Sequence, residues 1–554
     1  METKNEWRWR NPLPQGNTLR SVAYGDELFV AVGQFGTVMN SRNGSGWERA
    51  ATYTTSYLTG VCFGSGLFVA VGAEGTIITS TDGEVWEENQ AGTSAWIDAI
   101  TFGDGNFVAV GQSGTVLHSP DGVNWVRLSV GSYWLSAVTY GNGIFVALAS
   151  DNSVFTSTDG LEWTRQGVPS SSQLNAIAYG AGLFVAVGSN GTIVTSADGK
   201  KWTNREDPTG ATLEAVTFGS GKFVAIGHGT LKPGVYITST DGINWAGGPD
   251  ADLRNVLALG ASDQLLVAVG KGGVILTSDD GEAWTLQTSG NYPDLRAVGY
   301  GYGNGIFVCV GSEGGIFSSS NGTTWKSQAS GIDQTLLGVQ YTADRFIAVG
   351  NQGTLLSSRD GSEWTQTELP FTNRLSAVTY AQGIFVVAGE KGLIITSANG
   401  VEWRAVNTPT VSDLFAVTFG NGLFVAAGNS GTILISPDGM EWTQQATVVP
   451  ANSIQSISYG QGLFVAVGSL GLILNSDDGR TWNDVSLSLP YGLQSVIFAE
   501  ADFLAVGKNG TILTSPDGQN WIPEYSDTQN DLYGVAYGGS YVTCGDYGTI
   551  LQTA

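Results

Sequence analysis

The sequence predicts an all-β protein built from one short unit that recurs along the whole chain. Tryptophans recur mostly 39 residues apart, and the segment before each is rich in Val, Ile, Phe and Thr and bounded by Gly and Asp. These residue types at this spacing are typical of short β-strands joined by turns, and helical periodicity of useful length is absent from the sequence. The thirteen tryptophans that close a unit are Trp47, Trp86, Trp125, Trp163, Trp202, Trp245, Trp284, Trp325, Trp364, Trp403, Trp442, Trp482 and Trp521.

Each unit is predicted to form four strands, which we call a, b, c and d in chain order. In the second unit, strand a is LTGVCFG, strand b is LFVAVG, strand c is TIITS, and strand d begins at Trp86. Strand b is apolar at nearly every position, as expected for a sheet that is covered on both faces. Four-stranded units of about 40 residues are the signature of a β-propeller, whose blades stack side by side.

The fourteenth unit is incomplete at the C-terminus. Its strand b is the segment from Tyr541 to Gly545, and GTILQTA follows as strand c before the chain ends. A tryptophan segment with Trp7 and Trp9 stands at the other end of the chain. We therefore predict fourteen four-stranded blades, closed by the N-terminal strand pairing with the C-terminal blade. Such pairing also hides a strand edge that would otherwise favour aggregation.

The blades can be arranged as two rings or as one. Irregular units cluster in the middle of the chain, with an insertion between His228 and Tyr236 and a longer GYGNG turn at 301–305. They favour two seven-bladed rings, one over residues 18–290 and one over residues 291–554 plus 1–17, in line with the four to eight blades of typical propellers. No Pro/Ser linker marks a break, so a single fourteen-bladed ring over residues 1–554 is the alternative.

The turn before each closing tryptophan resembles a known repeat. The segments STDGEVW at 80–86, STDGLEW at 157–163 and SPDGMEW at 436–442 resemble the Asp-box, or BNR, repeat of sialidase-like, sortilin-like and photosystem II assembly factor-like propellers. Here the box is shortened to S-x-D-G-x-x-W, because Asp and Gly are adjacent. The resemblance implies a propeller fold.

The box residues are predicted to be structural. The Asp oxygen can accept downstream backbone N–H groups, Gly permits positive φ, and the Trp ring packs on the hairpin. Thirteen equivalent copies suit a fold device better than an active centre. Asn takes the Asp position at Asn43, Asn321 and Asn399, and the aspartates are Asp82, Asp121, Asp159, Asp198, Asp241, Asp280, Asp360, Asp438, Asp478 and Asp517.

Charge and composition exclude several classes of partner. Asp and Glu outnumber Lys and Arg by 49 to 24, and a net charge of −25 argues against nucleic acid and anionic membrane as partners. Three cysteines without a metal-binding spacing predict no disulfide framework, no metal and no cofactor. The N-terminus lacks a secretion signal, so we expect a soluble monomer, either cytoplasmic or secreted with its signal removed.

Function is expected on the face formed by the d–a and b–c loops, here called the loop face, because this face varies between repeats. The opposite face carries the a–b turns and the box turns and is nearly uniform. The second residue of strand a should ring the mouth of the central channel. In the second half of the chain these residues are Arg296, Gly338, Ser376, Phe415, Gln455, Gln494 and Tyr533, and the b–c loops add Glu313, Lys391, Lys508 and Asp546.

In the first half of the chain, aromatic residues with neighbouring charges suggest a ligand site. Aromatics with carboxylates and amides suit a sugar or a peptide, although the same rings could simply cover adjacent blades. The candidate ligand-binding residues are Tyr57, Trp96, Tyr133, Trp134, Arg20, Asp98, Glu214 and Arg254.

The sequence favours a non-enzymatic scaffold that presents its loop face to a protein partner. A glycan-binding lectin is the alternative, and a sialidase-like hydrolase is a distant third. Sialidases of the resembling family use an arginine cluster, a Tyr nucleophile and acidic partners. Arg20 and Arg254 have no third arginine with them in the first half, so no catalytic residues are expected. Neither His118 nor His228 has a partner set for a metal.

Overall fold

The fourteen units form fourteen four-stranded antiparallel sheets in a computed structural model of the chain. The structure describes residues 5–229, 234–249, 253, 255–288, 293–446, 449 and 451–554. In sheets 1 to 13, strands a to d lie side by side in chain order. Within the described ranges there is no α-helix, and no helix is long and apolar enough to cross a membrane. The predicted all-β fold with fourteen four-stranded units is therefore confirmed.

The strands of the first seven sheets are given in the order a, b, c, d. They are, for sheet 1, Leu19–Gly25, Leu28–Gly33, Val38–Ser41 and Glu48–Arg49; for sheet 2, Leu58–Gly64, Leu67–Gly72, Thr76–Ser80 and Glu87–Gln90; for sheet 3, Ile97–Gly103, Asn106–Gly111, Thr115–Ser119 and Val126–Ser129; for sheet 4, Leu135–Gly141, Ile144–Ala149, Ser153–Ser157 and Thr164–Gly167; for sheet 5, Leu174–Gly180, Leu183–Gly188, Ile193–Ser196 and Thr203–Arg205; for sheet 6, Thr212–Gly219, Lys222–His228, Val235–Ser239 and Ala246–Pro249; and for sheet 7, Val256–Ala261, Leu266–Gly270, Ile275–Ser278 and Thr285–Leu286.

The last seven sheets follow the same order. They are, for sheet 8, Leu295–Gly301, Ile306–Gly311, Ile316–Ser319 and Lys326–Gln328; for sheet 9, Leu336–Thr342, Arg345–Gly350, Leu355–Ser358 and Thr365–Gln366; for sheet 10, Leu375–Ala381, Ile384–Gly389, Ile394–Ser397 and Arg404–Val406; for sheet 11, Leu414–Gly420, Leu423–Gly428, Ile433–Ser436 and Thr443–Gln444; for sheet 12, Ile454–Gly460, Leu463–Gly468, Ile473–Ser476 and Asn483–Asp484; for sheet 13, Leu493–Ala499, Asp502–Gly507, Ile512–Ser515 and Ile522–Glu524; and for sheet 14, Leu532–Tyr537, Tyr541–Gly545, Ile550–Thr553 and Trp7–Asn11.

Short 3-10 turns connect strand b to strand c. Their second residue lies in the left-handed region, with φ close to +55° even where it is not glycine, as at Glu74 and Lys391. The turns are Gln34–Gly36, Ala73–Gly75, Gln112–Gly114, Ser189–Gly191, Lys271–Gly273, Ser312–Gly314, Asn351–Gly353, Glu390–Gly392, Asn429–Gly431, Ser469–Gly471, Lys508–Gly510 and Asp546–Gly548.

The N-terminal strand completes sheet 14, as predicted. It pairs antiparallel with strand c, with Trp7 opposite Thr553 and Trp9 opposite Leu551. Both tryptophan side chains are buried in a hydrophobic cluster with Leu551, whereas the Arg8 side chain between them is exposed. The alternation of buried and exposed residues is the period of two that a strand imposes.

The box turns are closed by their own side chains. In sheet 2, Oδ1 of Asp82 accepts hydrogen bonds from the backbone N–H groups of Glu84 and Val85, at 2.9 and 3.0 Å. The Ser80 hydroxyl donates to the same oxygen, and the Trp86 indole N–H donates to the carbonyl of Gly83.

All thirteen box positions accept the two downstream N–H groups in this way, whether Asp or Asn. Asn321, for example, makes the same pair of hydrogen bonds without a charge. The turn therefore uses an oxygen acceptor and does not depend on an ionisable group.

In most sheets the box turn packs against strand b of the preceding sheet. A Cβ on Gly83, in the turn of sheet 2, would lie 2.4 Å from Cδ2 of Leu28 in sheet 1. The same close approach joins the first and last sheets of each half of the chain. A Cβ on Gly44 of sheet 1 would lie 2.6 Å from Cδ2 of Leu265, beside sheet 7, and one on Gly322 of sheet 8 would lie 2.5 Å from Nε2 of Gln552 in sheet 14.

The chain divides into two compact units. We call Gly16–Ser289 the N-unit, which contains sheets 1 to 7. The C-unit is Met1–Gln15 with Gly290–Ala554 and contains sheets 8 to 14, including the N-terminal strand. Sheets 1 and 7 share one hydrophobic cluster in the N-unit, and sheets 8 and 14 share another in the C-unit. The boundary predicted near residue 290 falls within 289–292, outside the described residues.

Replacing Trp9 should destabilise the C-unit because the buried ring closes sheet 14. We expect Trp9→Ala to lower the free energy of unfolding by about 3–5 kcal/mol, as for other large-to-small core changes. Arg8→Ala, on the exposed side of the same strand, should change it by less than about 0.5 kcal/mol. Urea unfolding followed by far-ultraviolet circular dichroism measures both. Equal stability of the two variants would contradict closure by this strand.

Candidate functional site

A β-bulge in strand a places one side chain of every sheet at the loop face. In sheet 1 the pairing passes from Leu19–Gly33 to Ser21–Val32, so Arg20 is an extra residue without a partner on strand b. Bulges of this kind re-aim a side chain and interrupt the ladder. The bulge residues are Arg20, Thr59, Asp98, Ser136, Asn175, Glu214 and Leu257 in the N-unit, and Arg296, Leu337, Ser376, Phe415, Gln455, Gln494 and Tyr533 in the C-unit.

All seven bulge residues of the C-unit line one cavity of about 340 Å³. The eighth lining residue is Arg374, which directly precedes strand a of sheet 10. We call these eight residues the C-unit mouth. Six of its members were expected from the sequence, and Arg374 was not, because it stands before strand a whereas the prediction concerned the second residue of that strand.

One sequence assignment at this position requires correction. In sheet 9 the bulge lies between Leu336 and Gly338, so Leu337 lines the mouth in place of the expected Gly338. In sheet 7 the pairing of Val256 with Gly270 makes Leu257 the bulge residue. Arg254 itself lies outside the described residues.

The two arginines of the C-unit mouth are each held by a carboxylate and an aromatic ring. Nη2 of Arg296 lies 3.1 Å from Oδ2 of Asp294, and its guanidinium carbon lies 4.2 Å from the ring centre of Tyr533. In the same way Nη2 of Arg374 lies 3.2 Å from Oδ2 of Asp413. Its guanidinium carbon lies 5.3 Å from the ring centre of Phe415. Such paired and stacked guanidinium groups are preorganised.

The carboxylates are in turn fixed by the backbone of the preceding sheet. Oδ1 of Asp294 accepts the backbone N–H of Tyr547 at 2.9 Å, and Oδ1 of Asp413 accepts that of Lys391 at 2.9 Å. The first of these hydrogen bonds joins sheet 8 to sheet 14, and the second joins sheet 11 to sheet 10. The packing of neighbouring sheets therefore sets the position of both arginines.

Several polar side-chain groups of the C-unit mouth have no hydrogen-bond partner among the described residues. Nε of Arg374 and Oγ of Ser376 are buried without a hydrogen-bond partner among the described residues. The side-chain amides of Gln455 and Gln494 likewise make no hydrogen bond within the described ranges. A buried donor without a partner costs about 1–3 kcal/mol, so Nε of Arg374 favours a ligand that supplies an acceptor, and the half-buried glutamine amides are available to the same ligand.

Burial also raises the pKa values of two side chains at the C-unit mouth, Tyr533 and Asp546. The pKa of Tyr533 is raised by burial and by the neighbouring Asp546 carboxylate, so its hydroxyl keeps its proton at neutral pH. Burial raises the pKa of Asp546 to about 6, and the charges of Asp294 and Asp531 act in the same direction. The hydrogen bond from Tyr533 and the charge of Arg296 oppose this rise.

In the N-unit, the predicted aromatic residues form part of a cluster. Nε of Arg20 donates to the hydroxyl of Tyr57 at 2.6 Å. The Tyr57 ring lies 5.5 Å from that of Trp96, centre to centre, in a tilted arrangement. Three of the candidate residues are thus in contact across sheets 1 to 3.

The fourth member of this region is a half-buried carboxylate. Oδ2 of Asp98 accepts the indole N–H of Trp134 at 2.5 Å, and the Trp134 side chain is 40% exposed. Burial raises the pKa of Asp98 to about 7, although the hydrogen bond from Trp134 and the charge of Arg20 oppose the rise. Asp98 and Trp134 therefore offer a protonation-sensitive acceptor beside an accessible aromatic face.

Two further candidates, Tyr133 and Glu214, make their contacts with other residues. The Tyr133 ring packs on Phe155, with centres 5.9 Å apart, and is covered by the guanidinium of Arg165 at 5.2 Å. Glu214 is paired with His228, whose Nε2 lies 3.0 Å from Oε1 of the carboxylate. In the described part of the chain, no group of three or more His, Cys, Asp and Glu residues could hold a metal ion.

Solved structures share the fold across the whole chain. An ancestral GH74 enzyme matches with a TM-score of 0.71 at 11% identity, covering 100% of this chain and 99% of the other. PorZ, an essential bacterial surface component of the type-IX secretion system of Porphyromonas gingivalis, matches with a TM-score of 0.66 at 12% identity, covering 99% and 86%. YCF48 bound to D1 peptide matches with a TM-score of 0.41 at 15% identity, covering 47% and 92%.

These similarities establish that the chain has a β-propeller fold. Sequence identities of 11% and 12% carry no information about function. No family model and no curated protein matches the sequence. Kinship to Asp-box families therefore stays a prediction from the turn motif.

The Asp98–Trp134 pair should titrate close to neutral pH. We expect the ¹⁵N–¹H signal of the Trp134 indole, assigned with Trp134→Phe, to shift with a midpoint near the pKa of about 7 of Asp98. Because the folded state holds this proton more tightly, the contribution of Asp98 to stability should fall as the pH rises from 3.8 to about 7. Asp98→Asn should abolish both effects. A midpoint near pH 4 would contradict the burial of Asp98.

Proposed function

We propose that the chain is a non-enzymatic binding scaffold that presents its loop face to a protein partner. The observation that carries the proposal is the convergence of seven bulge side chains and Arg374 on one cavity of about 340 Å³ in the C-unit. The two arginines there are held by ion pairs with aspartates. The neighbouring glutamine amides and the Ser376 hydroxyl make no hydrogen bond among the described residues. A concave site with a few converging polar groups is typical of ligand binding.

The proposal includes the closure of each unit as a seven-bladed ring. The contact that links consecutive sheets also links sheet 1 to sheet 7 and sheet 8 to sheet 14. The hydrogen bond from Tyr547 to Asp294 supports the same closure in the C-unit. The seven bulge residues would then surround one channel opening in each ring.

A peptide suits the C-unit mouth better than a sugar ring does. A guanidinium group already covers one face of Tyr533 and one face of Phe415, so the two rings offer less flat surface for stacking a sugar. The free amides of Gln455 and Gln494 can donate to and accept from a peptide backbone.

Catalysis has less support than binding. A tyrosine nucleophile needs help to lose its proton, whereas burial and Asp546 raise the pKa of Tyr533. Asp294 and Asp413 are engaged with arginines and backbone N–H groups. One structural neighbour is an enzyme and another is a secretion-system component, and a shared fold does not decide between them.

A glycan ligand is the second candidate, at the N-unit cluster. There the Trp134 ring is 40% exposed beside the Asp98 carboxylate, and Trp96 packs on Tyr57. An exposed aromatic face next to a hydrogen-bond acceptor is suited to a sugar ring.

Panning a phage-displayed random peptide library on the immobilised full chain tests the proposal, with a glycan array in parallel. We expect peptides to be enriched on the wild type. Charge reversal in the C-unit mouth, by Arg296→Glu, should weaken binding of the selected peptides at least tenfold, which corresponds to about 1.4 kcal/mol.

The matched control is Asp104→Lys, an exposed charge reversal in the a–b turn of sheet 3 on the opposite face. It should leave peptide binding unchanged. Binding of glycans alone, lost on Trp134→Ala, would replace the proposal with the lectin alternative. Turnover of a fluorogenic sialoside, lost on Asp98→Asn, would refute a non-enzymatic role.

A further inference from the structure

We propose that the C-unit mouth recognises a carboxylate group carried by an acidic peptide segment of the partner. This inference rests on the proposed function and specifies its ligand. It is drawn from Arg296, Arg374, Ser376, Gln455 and Gln494, which line one cavity. All five side chains can donate hydrogen bonds, and a carboxylate is an acceptor with two oxygens.

The arginines keep unused donors after pairing with aspartates. A guanidinium has five N–H donors. Nη2 of Arg296 donates to a carboxylate oxygen of Asp294, and Nη2 of Arg374 donates to one of Asp413. Within the described ranges, neither arginine side chain makes another hydrogen bond. Nε of Arg374 is buried without an acceptor. Rotation of its guanidinium toward an entering acceptor would satisfy a group that is otherwise desolvated and unpaired.

The local charges favour a carboxylate over a phosphate. Two arginines face the cavity, but each is partly neutralised by its aspartate, and Asp546 lies beside Tyr533. One added negative charge can be accommodated by the remaining donors. A phosphate with nearly two charges at neutral pH would be repelled more strongly by the three carboxylates.

The lining favours a peptide as the source of the carboxylate. Leu337 and the edge of Phe415 provide apolar contact, and the two glutamine amides match a peptide backbone. Acidic sugars would need an uncovered aromatic face, and the rings of Tyr533 and Phe415 are stacked with arginines.

Fluorescence anisotropy with short labelled peptides tests the inference on the full chain. The first probe is Gly-Ala-Glu-Ala-Gly with an amidated C-terminus, and the second has Gln in place of Glu. The third has Gln and a free C-terminal carboxylate. We expect at least one carboxylate-bearing peptide to bind tenfold or more tightly than the amidated Gln peptide. The first and third probes distinguish a side-chain carboxylate from a terminal one.

Variants locate the binding. Arg374→Gln should weaken the carboxylate-bearing peptide at least tenfold and leave the amidated Gln peptide unchanged. Gln494→Leu removes an uncommitted amide and should weaken both peptides without affecting the ion pairs. The control is Arg404→Gln, an exposed arginine on strand d of the same sheet as Arg374. It should bind all peptides as the wild type does, and melting temperatures verify folding.

The pH dependence provides a second readout. Asp546 is faced by Asp294, Asp531, Arg296 and Tyr533. Its protonation below pH 6 removes a repelling charge, so a carboxylate-bearing peptide should bind more tightly at pH 5 than at pH 7.5. Asp546→Asn should bind equally at both values.

Two results would overturn the inference. One is equal affinity for the amidated Glu peptide, the carboxyl-terminated peptide and the amidated Gln peptide. The other is unchanged affinity of a folded Arg374→Gln variant. Tighter binding of glucuronate-containing oligosaccharides than of any peptide would overturn the peptide assignment. If random-library peptides bind the loop face but ignore carboxylates, the proposed function survives and only this inference fails.

Discussion

The packing of the box turns on the preceding sheet is the constraint from which the other features follow. Gly83 has positive φ and sits so close to Leu28 that a side chain at this position would collide with the neighbouring sheet. The Asp82 carboxylate and the Trp86 indole hold the turn in this shape through hydrogen bonds to the backbone. Because the contact recurs from sheet to sheet, small angular steps accumulate and bring the first and last sheets of a unit together.

Regular stacking on one face allows variation on the other. The bulge in strand a turns a single side chain per sheet toward the opening, and its identity is free to change because it takes no part in the ladder. In the C-unit the seven bulge residues, together with Arg374, place two arginines, two amides, a hydroxyl, two aromatic rings and a leucine around one cavity. In the N-unit the bulge places Asp98 beside Trp134. The chain is strongly acidic as a whole, yet aspartates such as Asp294 serve to hold arginines in place.

Much of this architecture is predictable from the sequence, since repetition supplies thirteen copies of the same local signal. Trp7 and Trp9 also reveal the closing strand, because an unpaired strand c at the C-terminus requires a partner. The assignment of Gly338 was wrong because two leucines stand side by side at 336–337: strand a begins at the first of them, so Leu337 is the bulge residue. Arg374 was not predicted because its position is set by the ion pair with Asp413, which directly precedes strand a of the next sheet. Contacts between sheets are not visible in the pattern of a single unit.

The closure of each unit as its own ring is the claim on which the mouth residues depend. Its most direct measurement is the behaviour of residues 16–289 produced without the rest of the chain. Our account predicts a monomer with native-like β circular dichroism and one cooperative thermal transition, because sheet 7 covers sheet 1. An aggregated or non-cooperatively melting fragment would indicate that sheets 1 and 7 need other neighbours, and would contradict the account.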